Sequence, residues 1–316
     1  MRFFFLFSAC YLSFAVLFAP VFMDGGMTGF VAVTRSAYVL WQTGKYFLIG
    51  ILVGIILLVM TVDRDVLRAR LPVIGMALAA SVFIHAGFTV LKNVMSFIMP
   101  YYADPFLADI DKALHFGVDP WIIAHWIGDY LPTNLMIYSY LTIWALPAFA
   151  LPVIIAITDG DRVRMSRTLI LYAVAWVFIG NVLAFSGLSV GPVFYDRLLG
   201  GARFADLTVA LVDSGVTASG IGHTQKALWD IYAGKSVMIG SGISAFPSVH
   251  VAIASVTAIY MCERSKWLVP LAAIFLFFTF YLSVFTGYHY AVDGYVSFIV
   301  ILSVWWLLRR RNNAVS

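Results

Sequence analysis

The chain has 316 residues and a formal net charge of +4; 62% of its residues are hydrophobic and only 11% are charged. Soluble domains are typically about 45–50% apolar and about 25% charged. This composition excludes a soluble enzyme, a disordered regulator and a nucleic-acid binder, and it predicts an integral membrane protein. Two cysteines are too few for a disulfide framework, so Cys10 and Cys262 are predicted to be free thiols.

Eight apolar runs along the chain are predicted to be transmembrane helices. A bilayer core of about 30 Å needs roughly 20 apolar residues in an α-helix. The first run is predicted to be a retained helix rather than a cleaved signal, because only Met1 and Arg2 precede it as a basic region. The predicted spans are residues 3–22, 46–62, 73–91, 133–157, 168–186, 243–261, 267–286 and 291–308.

Basic residues are concentrated in every second connection between these spans. Twelve of the 20 lie at the N-terminus and in the short segments 63–72, 158–167, 262–266 and 309–316. Positive charge in short loops stays on the cytoplasmic side. We therefore expect both termini to be cytoplasmic, with a bacterial inner membrane as the location. The opposite face, periplasmic or lumenal, then receives the long connections near 23–45, 92–132 and 187–242.

The long connections mix polar and aromatic residues with aliphatic residues at helical spacing. This pattern is typical of amphipathic helices that lie on a membrane surface. It predicts surface helices within residues 104–130, 203–213 and 222–235.

The sixth predicted span opens on the sequence SAFPSVH at residues 244–250. Proline is favoured at the first helical position because it has no N–H to lose, so Pro247 is predicted to begin the helix. The amides of Ser248, Val249 and His250 would then belong to the unpaired first turn, at the positive end of the helix dipole. Such a turn binds anions, and phosphate above all.

The eighth predicted span opens on TGYHYAVD at residues 286–293. His289 and Asp293 are four residues apart and therefore share one face of a helix. A carboxylate in this position can accept the Nδ1–H of the imidazole, which fixes the tautomer and leaves the Nε2 lone pair free. An oriented, neutral imidazole is a nucleophile, so His289 is predicted to be one.

Residues 246–250 and 287–293 resemble the second and third signature motifs of the type 2 phosphatidic acid phosphatase superfamily. Within it, they are most similar to the branch that contains fungal inositol phosphorylceramide synthase, an inositolphosphotransferase. The resemblance implies that His289 attacks phosphorus and becomes a phosphohistidine. It also implies that His250 protonates the leaving oxygen and that Asp293 orients the nucleophile.

The expected fold is an all-α polytopic membrane protein of about eight transmembrane helices, six of them in a phosphatase-like bundle, with extracytoplasmic surface helices. The resemblance covers roughly residues 133–308, the expected phosphatase-like or phosphotransferase-like core. Before it, residues 1–91 hold N-terminal transmembrane helices with the start of the core, and 92–132 form an extracytoplasmic amphipathic segment. Residues 309–316 are a basic cytoplasmic tail.

The chain departs from the phosphatase pattern in the residues that would hold the phosphate. The Lys-x6-Arg-Pro motif of the phosphatases is absent, and the corresponding stretch, residues 191–197, reads GPVFYDR. Ser283 and Val284 stand where the phosphatases have a Ser-Arg pair. These differences favour a phosphotransferase. The candidate substrate-binding residues are Tyr195, Arg197, Lys226, Lys235, Ser248, Val249 and Tyr288.

The function predicted from these features is transfer of a phosphate-ester head group from a lipid donor to a lipid or polyol acceptor in the bilayer. Two alternatives stay open: a lipid phosphate phosphatase of the same superfamily, and a non-enzymatic lipid carrier or transporter. We expect no cofactor and no metal, although His289 and Asp293 could share a zinc ion. His85 is predicted to bond a neighbouring helix carbonyl, and His115, His125 and His223 to lie on surface helices.

Overall fold

The computed structural model describes residues 1–22, 52, 54–56, 59–233 and 242–313. The predicted second span, 46–62, therefore lies largely outside the described residues. Within the described ranges the chain forms helices and no strand. The helices, in chain order, are α1 (Arg2–Phe18), α2 (Arg64–Ile98), α3 (Asp104–Leu114), α4 (Pro120–Gly128), α5 (Thr133–Thr158), α6 (Arg162–Ser186), α7 (Pro192–Leu199), α8 (Ala205–Asp213), α9 (Gly220–Ala233), α10 (Val249–Arg264), α11 (Val269–Phe285) and α12 (Ala291–Asn313).

Six helical segments in the described part of the chain are long and apolar enough to cross a membrane. They are Arg2–Val21, Arg64–Ile98, Thr133–Thr158, Arg162–Ser186, Lys266–Phe285 and Ala291–Arg311. The predicted span 243–261 corresponds to α10, which begins six residues later and has 16 residues. It begins late because residues 242–248 are not helical and Ser248 caps the helix instead.

Helix α10 is the central helix of the bundle. Its residues 251–258 are all buried, so other parts of the protein contact this helix on every side and not only on one apolar face. The small residues Ala252, Ala254 and Ser255 allow neighbouring helices to approach it closely. A helix that is apolar all round is expected at such a position. Because α10 is central, its first turn, which carries His250, is held by the surrounding helices.

Helix α6 contains a π-helical stretch, Val174–Leu183, that faces α10. Gly180 lies in this stretch, and a Cβ placed there would fall 2.6 Å from Phe88 Cε2 and 3.0 Å from Val249 Cγ2. The missing side chain of Gly180 therefore lets a side chain of α2 and one at the start of α10 meet over the backbone of α6.

The two ends of the bundle differ in chemistry. We call the end where α10 and α12 begin the histidine end, since His250 and His289 lie there. At the other end, the basic end, Arg167 pairs with Glu263 in the last turn of α10 at 2.8 Å, and Arg164 pairs with Asp159 at 2.6 Å. Helices α3 and α4 and helices α7 to α9 pack over the histidine end, where several of their apolar residues form one cluster with α5 and α11.

Two smaller predictions are confirmed. His85 Nε2 lies 2.9 Å from the carbonyl oxygen of Ala148 on the neighbouring helix α5. Cys10 and Cys262 are both free and exposed.

Candidate active site

The two histidines of the sequence motifs meet at the histidine end. His250 Nδ1 lies 3.2 Å from His289 Nε2, although the residues are 39 positions apart. His250 is in the first turn of α10, and His289 lies in the turn that leads into α12. The predicted convergence of the two imidazoles is thus confirmed as geometry.

The first motif is tied directly to the second. The Ser248 amide donates to the carbonyl oxygen of Asp293 at 3.2 Å, and Ser248 Oγ accepts the Val251 amide at 3.3 Å. Ser248 is therefore the N-cap of α10, and Pro247 precedes the cap rather than occupying the first helical position. The expectation of three free amides was wrong for Ser248. Among the described residues, the amides of Val249 and His250 bond no acceptor.

The Nδ1 atom of His289 is held by two oxygens. The carbonyl oxygen of Ala245 lies 2.8 Å away and Asp293 Oδ2 lies 3.3 Å away. The predicted contact with the carboxylate is confirmed, and the nearer partner is a backbone carbonyl that the sequence pattern did not indicate. Asp293 Oδ2 also accepts the Tyr290 amide at 3.0 Å, which fixes the carboxylate in place.

These contacts define a tautomer for each ring. Because the two neighbours of His289 Nδ1 are both acceptors, this nitrogen carries the proton and Nε2 carries the lone pair. The lone pair in turn accepts the Nδ1–H of His250. The rings touch directly instead of flanking a gap of phosphorus size. A phosphoryl group can therefore reach Nε2 only when this hydrogen bond opens.

The site is enclosed and favours the neutral form of its nucleophile. His289 is only 5% exposed to solvent. Burial lowers the pKa of His289 well below its ordinary value, and the neighbouring His250 and the positive charge of Lys92 add to the effect. At neutral pH the ring is therefore uncharged and keeps its lone pair, as a nucleophile requires.

Aromatic rings surround His250. Its ring centroid lies 4.3 Å from that of Trp144, 5.6 Å from that of Tyr140 and 6.4 Å from that of Tyr288. Trp144 Nε1 also donates to the carbonyl oxygen of His250 at 3.0 Å, which fixes the indole at the start of α10. These three aromatic rings therefore line the space beside His250.

Asp111, a buried carboxylate of α3, supports the turn that carries His289. Its two oxygens accept the amides of Ala291 and Val292, at 3.0 and 2.9 Å. It thus caps the start of α12 from a distant helix, a role that a residue of the helix itself usually plays. Burial raises the pKa of Asp111, and the two amide donors oppose the rise.

A second buried carboxylate, Asp104, links two loops of the site. It accepts the amides of Val190 and Gly191, both at 2.9 Å, and the hydroxyl of Tyr290 at 3.0 Å. Neither Asp104 nor Asp111 was among the predicted site residues. In the sequence, both are acidic residues in a predicted amphipathic helix, and the polar face of that helix was interpreted as lying on the membrane surface.

Some of the predicted substrate-binding residues lie beside the histidines. Ser248 and Val249 directly precede His250 in the chain, and the ring of Tyr288 stacks near that of His250. Tyr288 Oη lies 3.4 Å from the carbonyl oxygen of Ile221 on α9.

The other predicted substrate-binding residues have different neighbours. The Arg197 guanidinium lies 5.8 Å from the centre of the Trp229 ring, and Lys226 pairs with Asp230 on an exposed part of α9. The ring of Tyr195 packs against Phe204 with centroids 5.1 Å apart. Lys235 lies outside the described residues. In the described ranges, no group of three His, Cys, Asp or Glu side chains is placed to hold a metal ion.

The comparisons with known proteins agree with this geometry. A family model described as the PAP2 superfamily matches residues 105–307, more than half of the chain, and the matched region includes both histidine motifs. No curated protein and no solved structure matches the chain.

Proposed function

The chain belongs to the PAP2 superfamily, and from this premise we propose that it is a membrane phosphotransferase with His289 as its nucleophile. Membership of the superfamily suggests phosphatase or phosphotransferase chemistry. The proposed reaction moves a phosphate-ester head group from a lipid donor to a lipid or polyol alcohol, as in the inositol phosphorylceramide synthase branch. The observation that carries the proposal is the contact between His289 Nε2 and His250 Nδ1, with Nδ1 of His289 anchored on Ala245 and Asp293.

The proposed first step forms a phosphohistidine. The Nε2 lone pair of His289 attacks phosphorus, the N–P bond forms, and the P–O bond to the leaving alcohol breaks. His250, whose protonated form the negative charge of the bound phosphoryl group favours, gives its proton to the departing oxygen. The His289 ring then carries positive charge, which the carboxylate of Asp293 stabilises at Nδ1–H.

The proposed second step regenerates both histidines. An acceptor hydroxyl attacks phosphorus, the N–P bond breaks, and His250 takes the hydroxyl proton. Negative charge develops on the phosphoryl oxygens in both steps, and the free amides of Val249 and His250 at the N-terminus of α10 are suited to it.

The enclosure of the site supports transfer over hydrolysis. His289 is buried, and the rings of Tyr140, Trp144 and Tyr288 surround His250. Closed apolar surroundings exclude water from a reactive intermediate and favour an alcohol that binds through an apolar chain. The lipid phosphate phosphatase remains the second candidate, since it differs only in the acceptor that reaches the intermediate.

The proposed location of the site is the extracytoplasmic face. His250 lies in the first turn of α10 and Glu263, bound to Arg167, lies in its last. A separation of 13 residues in a helix corresponds to about 20 Å. Since the basic end of the bundle is expected at the cytoplasmic surface, the histidine end faces the other side of the membrane.

A reconstituted assay tests the proposal. Purified protein in vesicles receives phospholipids labelled in the head group, with and without candidate alcohols, and the products are separated as new phospholipid or free phosphate ester. We expect a new phospholipid when an alcohol is present and no product with the His289→Ala variant. The exposed His223 gives a matched control, because His223→Ala removes the same ring from a position outside both histidine motifs.

Two results of this assay would overturn the proposal. One is turnover by His289→Ala close to that of the wild-type protein. The other is movement of the labelled lipid between leaflets with its head group intact, which is the behaviour of a carrier.

A further inference from the structure

A phosphoryl group bound between two histidines needs a positive partner, and three cations near the surface helices have other neighbours. Arg203 pairs with Asp119, Lys226 pairs with Asp230, and Arg197 lies over a tryptophan ring. The two free amides at the start of α10 supply partial charges only. Arg197, Arg203 and Lys226 therefore do not explain how the charge of a substrate phosphate is balanced.

Lys92 lies near the C-terminal end of α2. Its ammonium is 5.5 Å from the centre of the Phe88 ring, one turn earlier on the same helix. The side chains of Phe88 and Val249 both pack against Gly180. Phe88 therefore lies close to Val249, which directly precedes His250. A side chain one turn beyond Phe88 on this face of α2 is therefore directed towards the first turn of α10.

The backbone of Lys92 also supports the first histidine motif. A Cβ placed on Gly242 would fall 2.7 Å from the carbonyl oxygen of Lys92 and 2.9 Å from its Cγ. The chain that leads into the motif is thus pressed against Lys92. Three residues later, the carbonyl oxygen of Ala245 holds His289 Nδ1. Lys92 and the nucleophile are therefore connected by one short, closely packed segment.

The charge of Lys92 acts on the site and meets no counter-charge among the residues that the structure describes. The ammonium interacts electrostatically with both His250 and His289. Lys92 is partly buried, and no carboxylate in the described part of the chain forms an ion pair with it. A partly buried cation without a counter-charge costs folding free energy, and an anion that binds beside Lys92 would offset that cost.

We propose that Lys92 is the phosphate-binding cation of this site and holds the phosphoryl group of the substrate against the two imidazoles. Lys92 precedes the region matched by the family model, 105–307. The cation that the phosphatase motif would supply after the fifth predicted span comes instead from α2. The identity of the substrate as a lipid rests on the proposed function, whereas binding of the phosphate group itself does not.

The first experiment measures binding of inorganic phosphate to the purified full-length protein in detergent. Protein labelled with ¹⁵N-histidine is titrated with phosphate, and the imidazole signals report binding. We expect Lys92→Met and Lys92→Gln to weaken binding at least tenfold and Lys92→Arg to keep it within about threefold. Lys266→Gln is the matched control, because Lys266 is exposed between α10 and α11 at the basic end. Equal binding by wild type and Lys92→Met would overturn the inference.

Thermal unfolding separates a binding role from a structural one. If Lys92 only supports the fold, Lys92→Met lowers the melting temperature in phosphate-free buffer, and that result would count against the inference. Since the substitution removes an unpaired buried charge, we expect a melting temperature equal to or above that of the wild type. We also expect the phosphate-dependent rise in melting temperature to disappear.

Turnover of a phospholipid distinguishes failure of this inference from failure of the proposed function. If the wild type transfers a head group and Lys92→Met does so with an unchanged kcat and KM, the role proposed for Lys92 is refuted and the proposed function is supported. If the wild type transfers no head group but its phosphate binding depends on Lys92, the proposed function is refuted and the phosphate-binding role of Lys92 is supported.

Discussion

Replacement of Asp293 by asparagine tests how the site stabilises charge on its nucleophile. Asp293 is fully buried, and its Oδ2 accepts from the Tyr290 amide and faces Nδ1 of His289. Its Oδ1 has no hydrogen-bond partner among the described residues. An asparagine can therefore keep its oxygen at the Oδ2 position and place its amide group where Oδ1 was. The shape is conserved, the negative charge is lost, and an NH2 group replaces the oxygen that has no partner among the described residues.

The expected effect follows from the role of that charge. His289 is neutral before the reaction and positive once phosphorus is bound to Nε2, so the carboxylate matters most in the phosphorylated state. A hydrogen bond to a charged group contributes about 1.5–3 kcal/mol. Since about 1.4 kcal/mol corresponds to a factor of ten, Asp293→Asn should lower kcat by about 10- to 100-fold.

The assay is head-group transfer by the purified variant, with kcat and KM determined separately. Asp109→Asn is the control, because Asp109 is exposed on α3 and its substitution also removes one negative charge. We expect a large fall in kcat with little change in KM for Asp293→Asn, and wild-type values for Asp109→Asn. A kcat for Asp293→Asn within threefold of the wild type would refute this reasoning.

Three further predictions address the support of the site and its protonation. Asp111→Ala leaves two amides at the start of α12 without their acceptor, which should destabilise the protein by about 2–5 kcal/mol in denaturant unfolding; an unchanged midpoint would contradict this cap. Gly191→Ala should lower both the melting temperature and kcat, because φ is +84° at this position and a Cβ would lie 2.4 Å from the carbonyl oxygen of Tyr288. Gly75→Ala is the control, since a Cβ at Gly75 meets open space, and it should change neither quantity. Because burial lowers the pKa of His289, the acid limb of kcat/KM should lie well below pH 6.5, and a limb at or above 6.5 would contradict a neutral nucleophile. The unfolded chain binds a proton that folded His289 does not, so the free energy of unfolding should also fall as the pH drops below about 6.5.

The sequence predicted best those features that depend on neighbouring residues. The long apolar runs gave the membrane helices, and the spacing of His289 and Asp293 gave the contact between their side chains. Pro247 was predicted as the first helical residue, two positions before the observed start of α10 at Val249, because serine and proline both favour helix starts. The structure uses Ser248 as the cap, and its hydroxyl accepts the Val251 amide.

The features that the sequence did not reveal depend on contacts between distant parts of the chain. Asp111 is 180 residues from the amide of Ala291 that it accepts. Phe88 of α2 and Val249 of α10 come together over Gly180 of α6, and this convergence brings α2, which carries Lys92, close to the first histidine motif. Helical periodicity identifies which face of a helix is polar, but it does not identify the partner of that face. The buried acidic face of α3 therefore resembled a solvated one.

The most direct test of the account is the identification of a covalent intermediate on His289. The protein is mixed with a phospholipid labelled on the head-group phosphate, quenched with base within the first turnover, digested and mapped by mass spectrometry. The account predicts an acid-labile, base-stable phosphoryl adduct on the peptide that contains His289, and no adduct in His289→Ala. A label on another residue, or normal turnover with no adduct at any quench time, would contradict it.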